Sequence, residues 1–293
     1  MKSRLIVGIV NYKCEKYIKQ LLESLEHQSY SDFQVLVIDN NKVDKISSLL
    51  TSSILSLKYI HNTENTGFGA AHNIGIKYAF ENTAEYYCAL NPDMVLDKNY
   101  LRTIIEFLDS NKEYCSVNSR IYRLRNGEKT HTIDVTGGFI RRRFAYLNSF
   151  ITEVSHDQFS IAGTSPVFRL SALKDISKSN EYFDPDYFLY FEDIDISWRL
   201  NHKSWKVRYL PEAIAWHEKG GSTDGKDSFF SKNKKLKGEL LKNRNITMLK
   251  NLPGSYFLRL LPSLLITEAG IFLYFSFIRQ HFFTLVSLAE MIR

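Results

Sequence analysis

Cysteine is scarce, with three residues in 293, at Cys14, Cys88 and Cys115. Spacings this wide exclude a disulfide framework and a Cys-x-x-Cys metal site. All three read as reduced, packed thiols of a cytosolic chain, and Cys88 lies in an apolar run that reads as core. Proline is nearly as rare, six in all, and no low-complexity linker or internal repeat interrupts the chain. The glycine-rich fingerprints are missing as well. A dinucleotide-binding fold needs G-x-G-x-x-G directly after its first strand. Here "RLIVGIV" (4–10) runs into "NYKCEKY" (11–17), which excludes that motif, and there is no P-loop. The opening "MKSRLIVGIVNY" has too short an apolar stretch for a secretory leader and no small-residue cleavage site, so it reads as a strand.

The composition, 44% hydrophobic and 24% charged, suits one large α/β domain or a domain with an appendage. The net charge of +6 is concentrated. Ser231 to Lys250 holds seven Lys/Arg and one Glu, so the rest of the chain is balanced. This run reads either as a solvated helix face or as a surface that meets anionic lipid or nucleic acid. Leu260 to Ile278 follows, nineteen residues with one acid, Glu268. Pro262, Glu268 and Gly270 count against a simple membrane span. A helix lying in the membrane interface beside a basic segment is the favoured reading, with a buried helix or a homodimer contact as the alternatives.

The first 110 residues alternate between strand and helix patterns. Strands are expected at 4–10, 33–39, 57–62 and 85–90, and helices at 15–28, 43–50, 69–80 and 98–110. In the first helix, Ile18, Leu21, Leu22 and Leu25 share one face. Such alternation implies parallel pairing with right-handed crossovers, a nucleotide-binding architecture in outline. From 113 to 168 the alternation fades, and "RRR" (141–143) sits in a segment that reads as a mobile loop. The expected division is an α/β domain over 1–226 and a basic, then apolar, all-helical region over 227–293.

In such sheets, ligands bind beyond the carboxyl ends of the strands. Polar residues recur at those ends: Asn11 and Tyr12, Asp39 and Asn40, Asn65 to Gly69, and Asn91 to Asp93. One such residue per strand is ordinary turn chemistry, whereas four consecutive sets suggest a site. Asp39 reads as a nucleoside-binding acid or as a turn residue. Gly67 and Gly69 open a helix whose free N–H groups suit a phosphate. His72 and Asn73, one turn in, face the same ligand or simply the surface. Asp93 reads as a ligand for a hard divalent cation already chelated by a diphosphate, or as turn punctuation in Asn91-Pro92-Asp93. In "YFEDIDISWRL", Glu192, Asp193 and Asp195 follow an aromatic run. They read as helix-dipole acids, or one of them as a general base whose pKa an apolar wall raises. His217, in "WHEKGGS", is a candidate second metal ligand.

In order, "VGIVNY", "VLVIDNN", "NTGFGAAHNIG", "ALNPDMVL", "AGTSPVFRLSAL", "FDPDYFLYFEDIDISWRL", "YLPEAIAWHEKGGS" and "KNRNITMLKNLP" resemble the inverting glycosyltransferases of family 2, particularly the rhamnosyltransferase-like branch. The resemblance covers about Leu5 to Pro253. It implies a GT-A fold, Rossmann-like and mainly parallel with helices on both sheet faces, followed by a C-terminal helical region. It implies a nucleoside diphosphate sugar donor, with dTDP-rhamnose first and UDP-hexoses second, and a saccharide or lipid-linked saccharide acceptor. The setting implied is cell-surface polysaccharide synthesis such as that of O-antigen, at the inner face of the cell membrane. Asp39, Asn11 and Tyr12 would line the base pocket, with Asn65, Gly67, His72 and Asn91 also on the donor side. Asp93 matches the last position of the Asp-x-Asp metal motif, whose first acid is Asn91 here. His217 matches a further ligand of the Mg or Mn ion. Asp193, beside Glu192, matches the catalytic base. His72 stands where relatives often carry Arg or Asn, and "ISKSNEYFDPDYF" lacks a Gly-Gly pair, which bears on acceptor contacts near Thr164 and Asp184.

Two other classes compete. A non-enzymatic binding module would use the 14% aromatic content for base stacking, but the basic run lacks interleaved aromatics, so nucleic acid is not an expected partner. A nucleotidyltransferase would want a basic, glycine-rich loop where "NYKCEKY" stands.

Overall fold

The structure, a computed structural model, describes residues 2–51, 53–135, 139–141, 146–148, 152–218 and 234–274. The chain opens as β1 (Leu5–Asn11), α1 (Glu15–Glu26), β2 (Phe33–Asp39), α2 (Ser47–Leu50), β3 (Leu57–His61), α3 (Phe68–Glu81) and β4 (Tyr86–Leu90). It continues with β5 (Met94–Leu96), α4 (Tyr100–Ser110), β6 (Tyr114–Arg125), β7 (Glu128–Val135), β8 (Phe139–Arg141), β9 (Tyr146–Asn148), β10 (His156–Gln158) and β11 (Val167–Arg169). The remainder is α5 (Leu170–Ile176), α6 (Glu192–His202), β12 (Lys206–His217), α7 (Lys234–Asn251) and α8 (Gly254–Leu273).

The expected early elements are present, with ends moved by a residue or two and α2 cut to one turn. β3, β2, β1 and β4 run parallel, as the right-handed crossovers require. The loss of alternation after 113 has a physical cause: β11 runs antiparallel between β4 and β6, and β7 folds back on β6. Hairpins need no crossover helix. Arg142 and Arg143 lie outside the described residues.

Residues alternate between the two faces of the sheet. Leu5, Val7 and Ile9 join α1 and α4 in one core, while Ile6, Leu36 and Ile38 join α3, α5 and α6 in the other. Full burial of one such aliphatic side chain is worth about 1.5–3 kcal/mol, which explains why these strands are apolar throughout. Tyr87 threads between β1 and α3. A Cβ on Gly8 or Gly75 would stand 2.0 or 2.2 Å from its hydroxyl, so both positions exclude a side chain.

The basic run was expected to form a solvated or lipid-facing strip. In α7, Lys250 instead pairs with Asp184 and Asp186, Lys242 with Glu239 and Arg244 with Glu268, and Lys237 is buried. Lys234 and Lys235 remain exposed. The Arg244 pair also explains the one acid of the apolar helix, since Glu268 ties α8 back to α7. The buried-helix reading of α8 does not hold: Leu264 is its sole buried residue among those described, and Leu258, Leu265, Ile266 and Leu273 are exposed. By length and composition α8 is long and apolar enough to cross a membrane.

Candidate active site

Register brings the expected residues to one end of the sheet. Asn11 lies opposite Asp39, and Asp39 opposite His61, in one row across β1, β2 and β3. Asp39 is fully buried. Its Oδ1 accepts from the side chains of Asn11 (3.0 Å) and Asn41 (2.8 Å), and its Oδ2 from the Tyr59 hydroxyl (3.3 Å). Tyr59 thus shares this carboxylate with the two asparagines. Tyr12 stays partly open to solvent. Asn40 organises the next layer. Its Nδ2 donates to the Gly67 carbonyl (3.1 Å), and its Oδ1 accepts from Asn62 (2.8 Å). Sequence reasoning overlooked Asn41 and Asn62, whose only signal is an asparagine just past each strand.

Two donor-side expectations change in part. Of the N–H groups at the start of α3, two already have acceptors: Gly67 donates to Asn65 Oδ1 (3.0 Å) and Phe68 to the Phe188 carbonyl (3.0 Å). Gly67 is in the left-handed region (φ 89°), and a Cβ there would lie 2.3 Å from Phe188 O, so glycine is required for this docking. His72 is not on the surface either. It is fully buried, edge-on to Phe68, and bonds the Tyr87 hydroxyl through Nδ1 (2.8 Å). Asn73 faces inward too, accepting from the N–H of Phe183 (2.8 Å).

Burial pushes the His72 imidazole down to about 3. Between that value and the unfolded value near 6.5, the unfolded chain binds a proton that the native chain does not. Stability from this group is therefore present above about pH 6.5 and falls by roughly 1.4 kcal/mol per pH unit on acidification. Urea titrations between pH 6.5 and 4.5 should show a shallower slope in His72→Gln than in the wild type.

The second corner holds Asp93, in the loop between β4 and β5, and His217, at the end of β12. The pairing of His217 with Met94 sets them side by side, with Nε2 3.3 Å from Asp93 Oδ1. Behind the ring, Nδ1 meets Asp134 Oδ2 at 3.1 Å, and Asp134 Oδ1 lies 3.4 Å from Arg123 Nε. Burial disfavours a charged His217, but Asp134 and Asp93 outweigh it and raise the ring to about 9. A carboxylate, an imidazole and a second carboxylate fixing the ring is a donor set that fits a divalent ion. Among the described residues no three His, Cys, Asp or Glu side chains are placed to hold one ion by themselves, so phosphate oxygens would have to complete the shell, as Mg²⁺ sites commonly require. Asp134 was not foreseen, since it is an ordinary polar residue of an antiparallel strand until β7 folds onto β6.

The third corner is the start of α6. Tyr190 (φ 73°) and Phe191 (φ 71°) are both left-handed, and Phe191 caps the helix. For bulky residues this costs of order 1–3 kcal/mol each. The turn presents Asp193, partly open to solvent, to two backbone donors: Gly163 N–H (3.1 Å to Oδ2) and its neighbour Ile194 N–H (2.9 Å to Oδ1). Burial raises the Asp193 carboxyl above the ordinary range, and these N–H groups oppose the rise. Glu192 is buried, its Oε2 has no hydrogen-bond partner among the described residues, and burial, then the Asp193 charge, raises its carboxyl as well. Asp195 is structural, bonded to Arg199 (2.8 Å) and Asn251 (2.8 Å). Asp184 is held by Lys250 (2.7 Å).

One loop joins the last two corners. Gly163 donates to Asp193, while the adjacent Thr164 accepts through its carbonyl from Asn91 N–H (3.1 Å). Asp193 and the Asn91–Asp93 loop thus flank the same turn. Buried Asn118 of β6 holds that turn from below, accepting from Ala162 N–H (2.8 Å) and donating to the Ser160 carbonyl (2.8 Å).

Comparison with known proteins bears on the family and the fold. The family described as "Glycosyl transferase family 2" matches residues 6–176. The rhamnosyltransferase WbbL of Escherichia coli K12 is 27% identical over 241 residues, covering 76% of this chain and 86% of WbbL. A poly-beta-1,6-N-acetyl-D-glucosamine synthase of Staphylococcus epidermidis is 26% identical over 213 residues, 70% of this chain but 47% of the synthase. Among solved structures, GalNAc-T7 with UDP, GalNAc and Mn²⁺ superposes with TM-score 0.63 at 13% identity, over 83% of this chain and 47% of that one. S. aureus TarS 1–349 in complex with UDP-GlcNAc superposes with TM-score 0.58 at 17% identity, over 86% and 69%. The architecture is the GT-A fold that these structures share.

Proposed function

Because the chain belongs to glycosyl transferase family 2, a family acting on sugar nucleotides, we propose that it moves rhamnose from dTDP-rhamnose to a hydroxyl of a lipid-linked saccharide, inverting the anomeric carbon. The observation that carries this reading is the single turn, Gly163–Thr164, flanked by the Asp193 carboxylate on one side and the Asn91–Asp93 loop on the other. The extent of the match to a rhamnosyltransferase supports the choice of sugar.

Tyr12 and Asp39 would receive the nucleoside. Asp93 and His217 would hold a Mg²⁺ or Mn²⁺ ion, with Asp134 fixing the imidazole. Such an ion, when bound, neutralises charge building on the diphosphate leaving group. Asp193 takes the proton of the acceptor hydroxyl as that oxygen attacks the anomeric carbon from the face opposite the diphosphate. One displacement at that carbon inverts its configuration. A carboxylate whose pKa is raised by burial is better matched to this proton than an ordinary one. Activity accordingly needs Asp193 ionised and falls on acidification.

The exposed apolar side chains of α8 support peripheral attachment at the inner face of the cell membrane, where a lipid-linked acceptor resides. A UDP-hexose donor is the second reading, favoured by the N-acetylglucosamine synthase relatives and the UDP-GlcNAc complex of TarS. Incubating purified protein with dTDP-rhamnose, UDP-glucose and UDP-GlcNAc and measuring nucleotide release separates them. Release of dTDP alone is expected. Release of UDP alone would replace the sugar assignment, and no release with any donor would count against the reaction as a whole.

A further inference from the structure

The segment that aims Asp193 has a backbone its own residues disfavour, and a distant helix grips it. Tyr190 and Phe191 are consecutive left-handed aromatics, two rotations immediately ahead of Glu192 and Asp193. Neither is a glycine, so surrounding contacts must over-determine the conformation. Many of those contacts come from α7. Asn243, Thr247, Lys250 and Asn251 recur at i, i+4, i+7 and i+8, one helix face. Asn243 is fully buried, and its Nδ2 donates to the carbonyls of Leu189 (3.0 Å) and Tyr190 (2.9 Å). Thr247 donates to the Tyr187 hydroxyl (3.0 Å), and Lys250 holds Asp184 and Asp186. Asn251 donates to Asp195 Oδ1 (2.8 Å), beyond the strained turn. One polar face of α7 thus spans the segment from Asp184 to Asp195. Of its members, Asn243 binds the carbonyl of Leu189, just before the left-handed pair, and that of Tyr190, the first residue of the pair.

We propose that Asn243 is a positioning residue: by tying the Leu189 and Tyr190 carbonyls, it holds Phe191 left-handed and so points the Asp193 carboxylate at the acceptor hydroxyl. The role in catalysis rests on the reading of Asp193 as base given above; the grip on the segment does not. In this role the basic helix serves as a strap over the active-site turn.

Asn243→Leu keeps the approximate shape and removes both donated bonds. The expected result is a fall in kcat of about 10²-fold, the scale for displacing a reacting group by 1 Å. The donor KM should stay unchanged, and the acid limb of the kcat–pH profile should shift as the Asp193 carboxylate moves away from the Gly163 N–H. Hydrogen exchange of the amides in 189–195 should accelerate. Leu249→Ala, at an exposed position of the same helix, should leave all of these at wild-type values. If Asn243→Leu does not fold, Thr247→Val, nearly constant in volume, runs the same series with the same direction and a smaller loss. A folded variant with wild-type kcat, pH profile and exchange overturns the proposal, as does a loss that only tracks the folded fraction or appears only in donor KM. If the wild type transfers no sugar, the reaction assignment fails, while the exchange comparison still supports or overturns the grip of Asn243 on the turn.

Discussion

Asp193→Asn should lower kcat by at least roughly 10²–10⁴-fold, the contribution of a positioned general base, while UDP or dTDP still binds with wild-type affinity. The substitution is nearly isosteric. An amide has one acceptor oxygen where the carboxylate has two, so either Gly163 N–H or Ile194 N–H loses its partner, a cost of about 1 kcal/mol. Against this, removing the Asp193 charge relieves Glu192, whose raised pKa stems in part from that neighbour. The two effects are small and opposed, so the variant should fold, and the lost activity reports chemistry rather than stability. Asp195→Asn is the informative contrast. It weakens the bond to Arg199 and changes the one to Asn251, so its principal effect should be a lower melting temperature. Full turnover in a folded Asp193→Asn protein would remove Asp193 from the role of base.

Asp93→Ala should abolish the dependence of nucleotide binding on a divalent ion. Asp93 supplies the carboxylate of the Asp93–His217 pair. Loss of an outer-shell partner already costs about 10–100-fold in metal affinity, and loss of a direct ligand costs more. Calorimetric titration with UDP and dTDP, with and without Mn²⁺, should show a large Mn²⁺ effect in the wild type and none in the variant. Asp134→Asn should show an intermediate effect, because it only orients the His217 ring. A wild-type affinity in Asp93→Ala with Mn²⁺ present would place any ion elsewhere. The variant keeps the Asp134–His217 contact, so its fold should survive.

The legible parts of the site were those marked by local pattern. Strand-ending polar residues at 11, 39 and 93 and the acid pair after an aromatic run can be found because each sits a fixed distance from a recognisable strand or helix. The failures share a different cause. His72 reads as first-turn and available, but Tyr87, fifteen residues on, closes over it. The helix start opened by Gly67 and Gly69 reads as open, but Phe188 arrives from more than a hundred residues away to take the Phe68 N–H. The lysine run reads as a surface until Asp184 and Asp186 are brought to Lys250. Asp134 and Asn243 carry no local signal, because their roles exist only with partners on other elements.

By itself, the sequence determined the alternating α/β core, the end of the sheet at which polar residues collect, and which acids stand there. Apolar periodicity and turn chemistry act over a few residues, so they are written in the order of the chain. Tertiary structure alone decided which of those polar groups remain free. It buried His72, occupied Asp39, backed His217 with Asp134 and strapped the Asp193 turn beneath α7, because a hydrogen-bond partner is chosen by packing in space and its distance along the chain carries no trace of the choice.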